Sequence, residues 1–378
     1  MNARLLDVDD AVPYLLGCGL IDSDAIVEGD LTITSTIRRN RNLRVDGPPG
    51  RRYLVKQADG AKAGDQQTLR HEASFYSFCH RSLARTPMAK LLPRLVHTDE
   101  ELALLVLELF SGAMPLWQHY LAQAELPRPV ARELGRALGL LHATFRAPAM
   151  AGAEPLSQLP REPPGMLRVH QPSVEWLAVI SAAGFQMLRI IQSRRRFSQQ
   201  LDGLARLWQD DTVIHGDVRA DNVLVLSPSG DEPVMLRLVD WELVQHGDAA
   251  WDLAAALQDL VALWVNTLQL PTTAPVLDLE RANAQARYPW SMVQAMLRSL
   301  WLGYRGTAGL DADSANALLL RAVQFSSVRL IQAALESTQQ APALTSQAVL
   351  LLQIAANILD DPASAQARFY GIPLGLDT

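Results

Sequence analysis

The sequence predicts an α+β protein, with a small mixed lobe over residues 1–109 and a larger, mainly helical lobe over 110–378. Two observations carry this. Before Leu109, short alternating or β-branched runs dominate, with helical patterns only at 7–18 and 68–83. From Pro129 onward, apolar residues recur at helical spacing, broken only by short strand-like runs.

Taken in order, residues 7–18 read as a short amphipathic helix, opened by Asp7 and Asp9 and closed by Gly19. Residues 31–37 alternate and are β-branched, which predicts a strand. Two more are expected at 42–45 and 52–57, joined by the turn at 46–50. A helix is expected over 68–83, then strands at 91–96 and 102–109. In the second half, Leu134, Leu138 and Leu141 stripe a helix over 130–144, and the Pro-rich stretch 147–164 reads as loop. Helices are expected at 173–195, 197–209, 249–268, 289–304, 314–337 and 344–359. Short strands, 212–214 with 222–226 and then 235–240, interrupt them. No internal repeat or low-complexity tail is evident.

Composition narrows the partners. The 378 residues are 49% hydrophobic and 20% charged with a formal net charge of -6. That balance supports a globular core and gives no electrostatic reason to expect nucleic acid or an anionic membrane. Two cysteines, Cys18 and Cys79, are too few for a disulfide framework. The N-terminal residues lack the basic start and apolar run of a signal peptide. The longest apolar stretches, such as 253–265, fall short of the roughly 20 residues of a membrane span. A cytoplasmic setting is expected.

The chemistry-bearing residues concentrate in the segment Val213 to Val225. Phosphoryl transfer needs a carboxylate to position the acceptor hydroxyl, metal ligands to bridge the phosphates, and cations to neutralise developing charge. Asp217 lies five residues before Asn222, the spacing of a kinase catalytic loop. Eighteen positions later the apolar run Leu236 to Val239 ends in Asp240. Arg219 follows Asp217 closely enough to steady a transferring phosphate. An Asp–Asn pair alone can simply end a strand; the second carboxylate strand in order behind it decides for chemistry. In the first lobe, Lys56 sits on the predicted third strand and Glu72 in the next helix. A lone strand lysine is usually a surface residue, and helix surfaces are full of glutamates. In this order of elements, a Lys56–Glu72 pair that holds phosphates is the stronger reading.

With these residues in place, the chain resembles the aminoglycoside phosphotransferase and choline kinase superfamily, whose motif reads His-Gly-Asp, four residues, Asn. The resemblance implies a bilobal protein-kinase-like fold and transfer of the γ-phosphate of ATP, or another nucleoside triphosphate, with Mg²⁺. It further implies Asp217 as catalytic carboxylate and Asn222 and Asp240 as Mg²⁺ ligands. Adenine would lie between the lobes, near the backbone of Glu108 and Phe110. The segment Gly247 to Ala254 is similar to the family's Gly-Asp-Pro-x-Trp-Asp-Leu, in which Asp248 and Asp252 would brace the loop rather than react. His142 reads as helix packing and His215 as a structural residue of the loop. One departure is clear: no glycine-rich loop joins the first strands. Arg38, Arg39, Arg41 and Arg44 stand there instead, either cradling triphosphate or forming a solvated basic turn.

The acceptor is expected to be a small molecule such as an antibiotic or metabolite. The near balance of acidic and basic residues in 271–378 speaks against a strongly cationic one. A softer resemblance joins 38–42, 54–57 and 240–242 to the phosphotransferase-like kinases of ribosomal peptide pathways, which would make the acceptor a Ser or Thr of a precursor peptide. In that case Arg194 to Arg196 could meet an acidic leader. A pseudokinase would require loss of Asp217, Asn222, Asp240 or Lys56, and all four are present.

Overall fold

The computed structural model describes residues 5–37, 41–58, 64–150, 152–226, 234–270 and 278–375. The first elements are α1 (Val8–Gly17), α2 (Ser23–Val27), β1 (Thr32–Ile37), β2 (Arg41–Asp46), β3 (Tyr53–Gln57), α3 (Asp65–Ser82), β4 (Leu95–Asp99), β5 (Leu104–Glu108) and β6 (Ala113–Pro115). Then come α4 (Leu116–Ala122), α5 (Arg128–Arg146), α6 (Val174–Leu177), α7 (Ala182–Ser193), α8 (Arg195–Leu207), β7 (Thr212–Ile214), β8 (Val223–Leu226), β9 (Met235–Leu238) and β10 (Gln245–Gly247). The remainder is helical: α9 (Ala249–Thr267), α10 (Leu279–Ala284), α11 (Trp290–Arg305), α12 (Ala312–Ser337), α13 (Ser346–Asp360) and α14 (Pro362–Ser364). The chain forms two compact units. One comprises Met1–Pro115, Ala149–Leu159 and Asn222–Val244; the other comprises Leu116–Pro148, Pro160–Asp221 and Gln245–Thr378.

The first unit is built on an antiparallel sheet of order β1-β2-β3-β5-β4. Alternation along β2 and β3 turns Leu43, Val45, Tyr53 and Val55 into one core with Leu104 and Val106, and α1 adds Ala11 and Leu15. Asp7 starts α1 by accepting from the Asp10 amide at 2.8 Å, and Gly19, at φ +68°, follows its end. In α3, Leu69, Glu72, Phe75, Tyr76 and Cys79 form one buried stripe. A second sheet, β6-β8-β9, pairs Val223 with Leu238 in antiparallel register.

The second unit is helical, with α9, α12 and α13 carrying long buried faces. The backbones of α5 and α11 approach closely: a Cβ on Gly135 would stand 1.9 Å from the Leu300 carbonyl oxygen, and one on Gly303 would stand 2.0 Å from that of Arg132. In length and composition α12 could cross a membrane, with a mean hydropathy of 1.2 over its most apolar window, but 67% of that window is buried inside the fold.

Three expectations about elements are corrected. The strand expected at 91–96 begins only at Leu95, after a 3₁₀ turn over Pro87–Leu91, because Pro93 has no N–H to give a ladder. The helix expected at 173–195 is two, α6 and α7, each restarted by a serine: Ser173 accepts from the Trp176 amide at 3.3 Å and Ser181 from that of Gly184 at 2.9 Å. Finally, 212–214 does not pair with 222–226. β7 pairs with β10, and β8 lies between β6 and β9. Strands of three or four residues carry too little pattern to name a partner.

Candidate active site

In the first unit, strand alternation that sends Val55 to the core turns Lys56 the other way, onto α3. Lys56 is only 3% exposed and Glu72 is fully buried. The Lys56 Nζ donates to both Glu72 oxygens, at 2.8 and 3.1 Å, and also to Asp240 Oδ1. Burial pushes the Glu72 carboxyl up to about 7, against the pull of Lys56. Burial works against the lysine's charge too, but the two carboxylates outweigh it and raise its pKa, so the ammonium stays protonated.

Asp240 holds an unusual backbone for a non-glycine residue, φ +68° and ψ +59°, which an aspartate tolerates better than most. Trp241 fixes it there. The Trp241 amide donates to Glu72 Oε1 at 3.1 Å, its indole N–H donates to the Leu238 carbonyl at 2.9 Å, and its ring stacks on Phe75 at 4.4 Å. Asn222 is buried, and its carbonyl accepts from the Val239 amide at 2.9 Å. The register of β8 and β9 therefore brings Asn222 and Asp240 to the same end of that strand pair. Two oxygen-bearing side chains of this kind suit Mg²⁺, which usually takes one or two carboxylates and completes its shell with phosphate oxygens and water. Among the described residues, no cluster of three or more His, Cys, Asp or Glu forms a metal cage.

At the end of β5, the Glu108 amide donates to the Arg94 carbonyl and that of Leu109 to the Arg52 carbonyl, both at 2.9 Å. The Phe110 ring lies under the Arg237 guanidinium, 5.1 Å from its centroid. Arg38 and Arg39 lie outside the described residues.

The second unit carries the loop from His215 to Asp221. Two carboxylates of α9, seven residues and so about 10 Å apart on one helix face, hold its backbone. Asp252 accepts from the amides of His215 at 2.7 Å and Gly216 at 2.9 Å, and Asp259 accepts from that of Ala220 at 2.5 Å. The Trp251 indole donates to the Gly216 carbonyl at 3.1 Å, and Gly216 sits at φ +82°. Asp252 also meets His142 Nε2 at 3.2 Å, while His142 Nδ1 meets the Tyr304 hydroxyl at 2.9 Å. Burial alone would raise the Asp252 pKa, but the His142 hydrogen bond and charge, with help from His215, hold it below the ordinary carboxylate value. The Asp217 amide donates to His215 Nδ1 at 3.3 Å. Asp248 caps α9 and takes a forked contact from Arg321, at 3.0 and 3.1 Å.

Asp217 is thus displayed on a loop whose neighbours are braced, and its Oδ1 meets Arg329 Nη2 at 3.3 Å. Arg219 pairs with Glu336 at 3.1 Å and lies 3.8 Å from Asp221. Arg329, Glu336, Trp241 and Asp259 were not among the sequence candidates. A signal existed for two of them, since Arg329 interrupts the apolar α12 and Asp259 interrupts the apolar α9.

The model of the phosphotransferase enzyme family matches residues 35–290. A thiamine kinase of Salmonella typhimurium is 28% identical over 208 residues, which is 50% of this chain and 69% of that protein. Among solved structures, an ethanolamine kinase of Plasmodium vivax aligns with a TM-score of 0.53 at 11% identity, over 96% of this chain and 91% of that one. A choline kinase of Streptococcus pneumoniae aligns at 14% identity with a TM-score of 0.47, over 91% and 99% of the two chains. The fold is the α+β, protein-kinase-like one expected from the sequence.

Proposed function

The chain belongs to the phosphotransferase enzyme family, and from that premise we propose that it moves the γ-phosphate of Mg-ATP to a hydroxyl of a small-molecule acceptor. The observation that carries this reading is the buried Lys56–Glu72–Asp240 group. Burying an ammonium with two carboxylates is costly unless their positions serve something. Asp240 is still 34% exposed, so the carboxylate of this cluster keeps one face open to a cation such as a nucleotide-bound metal ion.

In this reading residues 1–109 serve the nucleotide, and 110–378 hold the catalytic loop and acceptor site. Lys56, oriented by Glu72, meets the phosphates, with Arg38 and Arg39 as further cations; adenine lies against the chain near Glu108 and Phe110. Asn222 and Asp240 hold Mg²⁺, which supplies positive charge to the phosphate oxygens. Asp217 orients the acceptor hydroxyl in line and takes its proton late, as the new O–P bond forms and the bond to the β-phosphate oxygen breaks. Arg219 steadies the transferring group. Positioning and charge neutralisation carry most of the rate. The 28%-identical thiamine kinase supports a small acceptor, and a cytoplasmic setting agrees with two free cysteines.

The two carboxylates separate under test. Asp217→Asn should lower kcat by about 10²-fold or more while leaving the Kd of Mg-ATP within about twofold. Asp240→Ala should weaken Mg-ATP binding itself, read by calorimetry. Equal effects of the two changes on binding would contradict this division of roles.

A further inference from the structure

Beside Asp217 the second unit forms a half-open polar pocket of about 320 Å³, lined by Arg219, Gln258, Asp259, Arg329, Gln332 and Glu336 among others. Two guanidiniums and two carboxylates face one small space. Arg329 is the unusual member. It is 4% exposed, in the middle of an apolar helix, with its guanidinium 5.3 Å from the Trp251 ring centroid. Nη1 donates to Gln332 at 2.9 Å and Nη2 to Asp217 at 3.3 Å, while Nε has no hydrogen-bond partner among the described residues. An arginine has five N–H donors, so beyond the two bonds above the terminal nitrogens of this cavity-lining cation retain donor capacity, while its Nε is sealed from solvent. Glu336, opposite in charge, is fixed by Gln332 at 2.8 Å and meanwhile pairs with Arg219.

We infer that this cavity takes the body of the acceptor, and that the acceptor is a hydroxylated zwitterion: its carboxylate on Arg329, its ammonium on Glu336, its hydroxyl at Asp217. This rests on the reading of Asp217 as the carboxylate that orients the hydroxyl. The reason is charge balance in a partly buried space. A purely cationic acceptor satisfies Glu336 and leaves the spare Arg329 donors unmatched. A purely anionic one does the reverse, and a neutral one engages neither charge. A ligand bearing both charges answers each side and adds no net charge. Its ammonium also takes the place of Arg219 on Glu336, which frees that guanidinium for the transferring phosphate.

The test uses the full chain with Mg-ATP and five acceptors that share a primary hydroxyl. Serine is the zwitterion, ethanolamine the cation, glycolate the anion and propanol the neutral member; N-acetylserine amide has both charges blocked. Phosphorylated product and ADP are both measured. Serine should exceed each of the others in kcat/KM by about tenfold or more, the scale of one lost charged hydrogen bond. Glu336→Gln should raise the KM for serine by a similar factor with little change in kcat, and should shrink the preference over glycolate. Arg329→Gln should shrink the preference over ethanolamine instead. Because Arg329 is buried, its melting temperature is compared with wild type, and the half-exposed Glu336 serves as the independent variant. Preference for ethanolamine or for the blocked serine, or an unchanged KM in Glu336→Gln, overturns the inference. Serine binding that depends on Glu336 in calorimetry, without turnover on any acceptor, supports the cavity assignment and sinks the hydroxyl-transfer reading instead.

Discussion

Lys56 and Glu72 show how a charged pair can sit in a core. The amino group has two Glu72 oxygens and Asp240 within reach, and α3 presents Glu72 from the same stripe as Leu69, Phe75 and Cys79. In sequence Glu72 stood out only through the order of elements, because helix surfaces are full of glutamates; the fold puts it on the apolar face, where an unpaired carboxylate would be costly. Removing the lysine by Lys56→Met leaves a buried acid whose pKa burial already raises, with 4.5 as its ordinary value. Between 4.5 and the raised folded value the folded state holds a proton that the unfolded chain has lost, so stability falls as pH rises. The variant should lose up to about 1.4 kcal/mol per pH unit above pH 5, and more steeply than wild type, in urea unfolding at pH 5.5, 7 and 8. A flat profile would mean that Glu72 finds another cation. Asp240 was legible as a carboxylate ending a strand. Its left-handed backbone was not, because Trp241 and Glu72 impose it from 169 residues apart in sequence.

At the scale of elements, α9 does most to shape the loop from His215 to Asp221. Its Trp251 and Asp252 were visible as a segment, whereas Asp259 registered only as an interruption of an apolar run. A helix period turns 252 and 259 to one face, but what meets that face is settled by packing. Asp252 has a pKa depressed below 3.8, so its stabilisation is present above that value and disappears as pH falls through the lower folded one. Thermal melts of wild type and Asp252→Asn should therefore differ at pH 7 and converge as the pH is brought well below 3.8. A constant difference would show that the ionised form is not what matters. The α5–α11 contact has a simpler basis. Gly135 and Gly303 let two backbones meet, so Gly135→Ala drives a methyl into the Leu300 carbonyl. The expected loss is about 2–3 kcal/mol or more in chemical denaturation. A loss below about 0.5 kcal/mol would mean that α11 can shift freely.

Over the whole molecule, ligand binding and stability are linked. If Lys56, Asn222 and Asp240 hold Mg-ATP, saturating nucleotide at a hundred times its Kd should stabilise the fold by about 2.7 kcal/mol. The rise in Tm should vanish when EDTA removes the metal and should be absent in Asp240→Ala; persistence in EDTA would place nucleotide binding elsewhere. Much of this molecule was legible in one dimension. Element order, the His215–Asn222 spacing and the carboxylate at Asp240 are local facts, because helix and strand periods and loop chemistry depend on neighbours in sequence. Other features needed the fold. The partners of β7 and β8, the charge on Arg329 beside Asp217, and the Arg219–Glu336 pair arise between residues that only packing brings together. The loop from His215 to Asn222 was thus determined by sequence as a set of chemical groups. Tertiary structure decided how they are held, since a short loop has no period of its own and takes its shape from Asp252, Asp259 and Trp251, which receive its backbone.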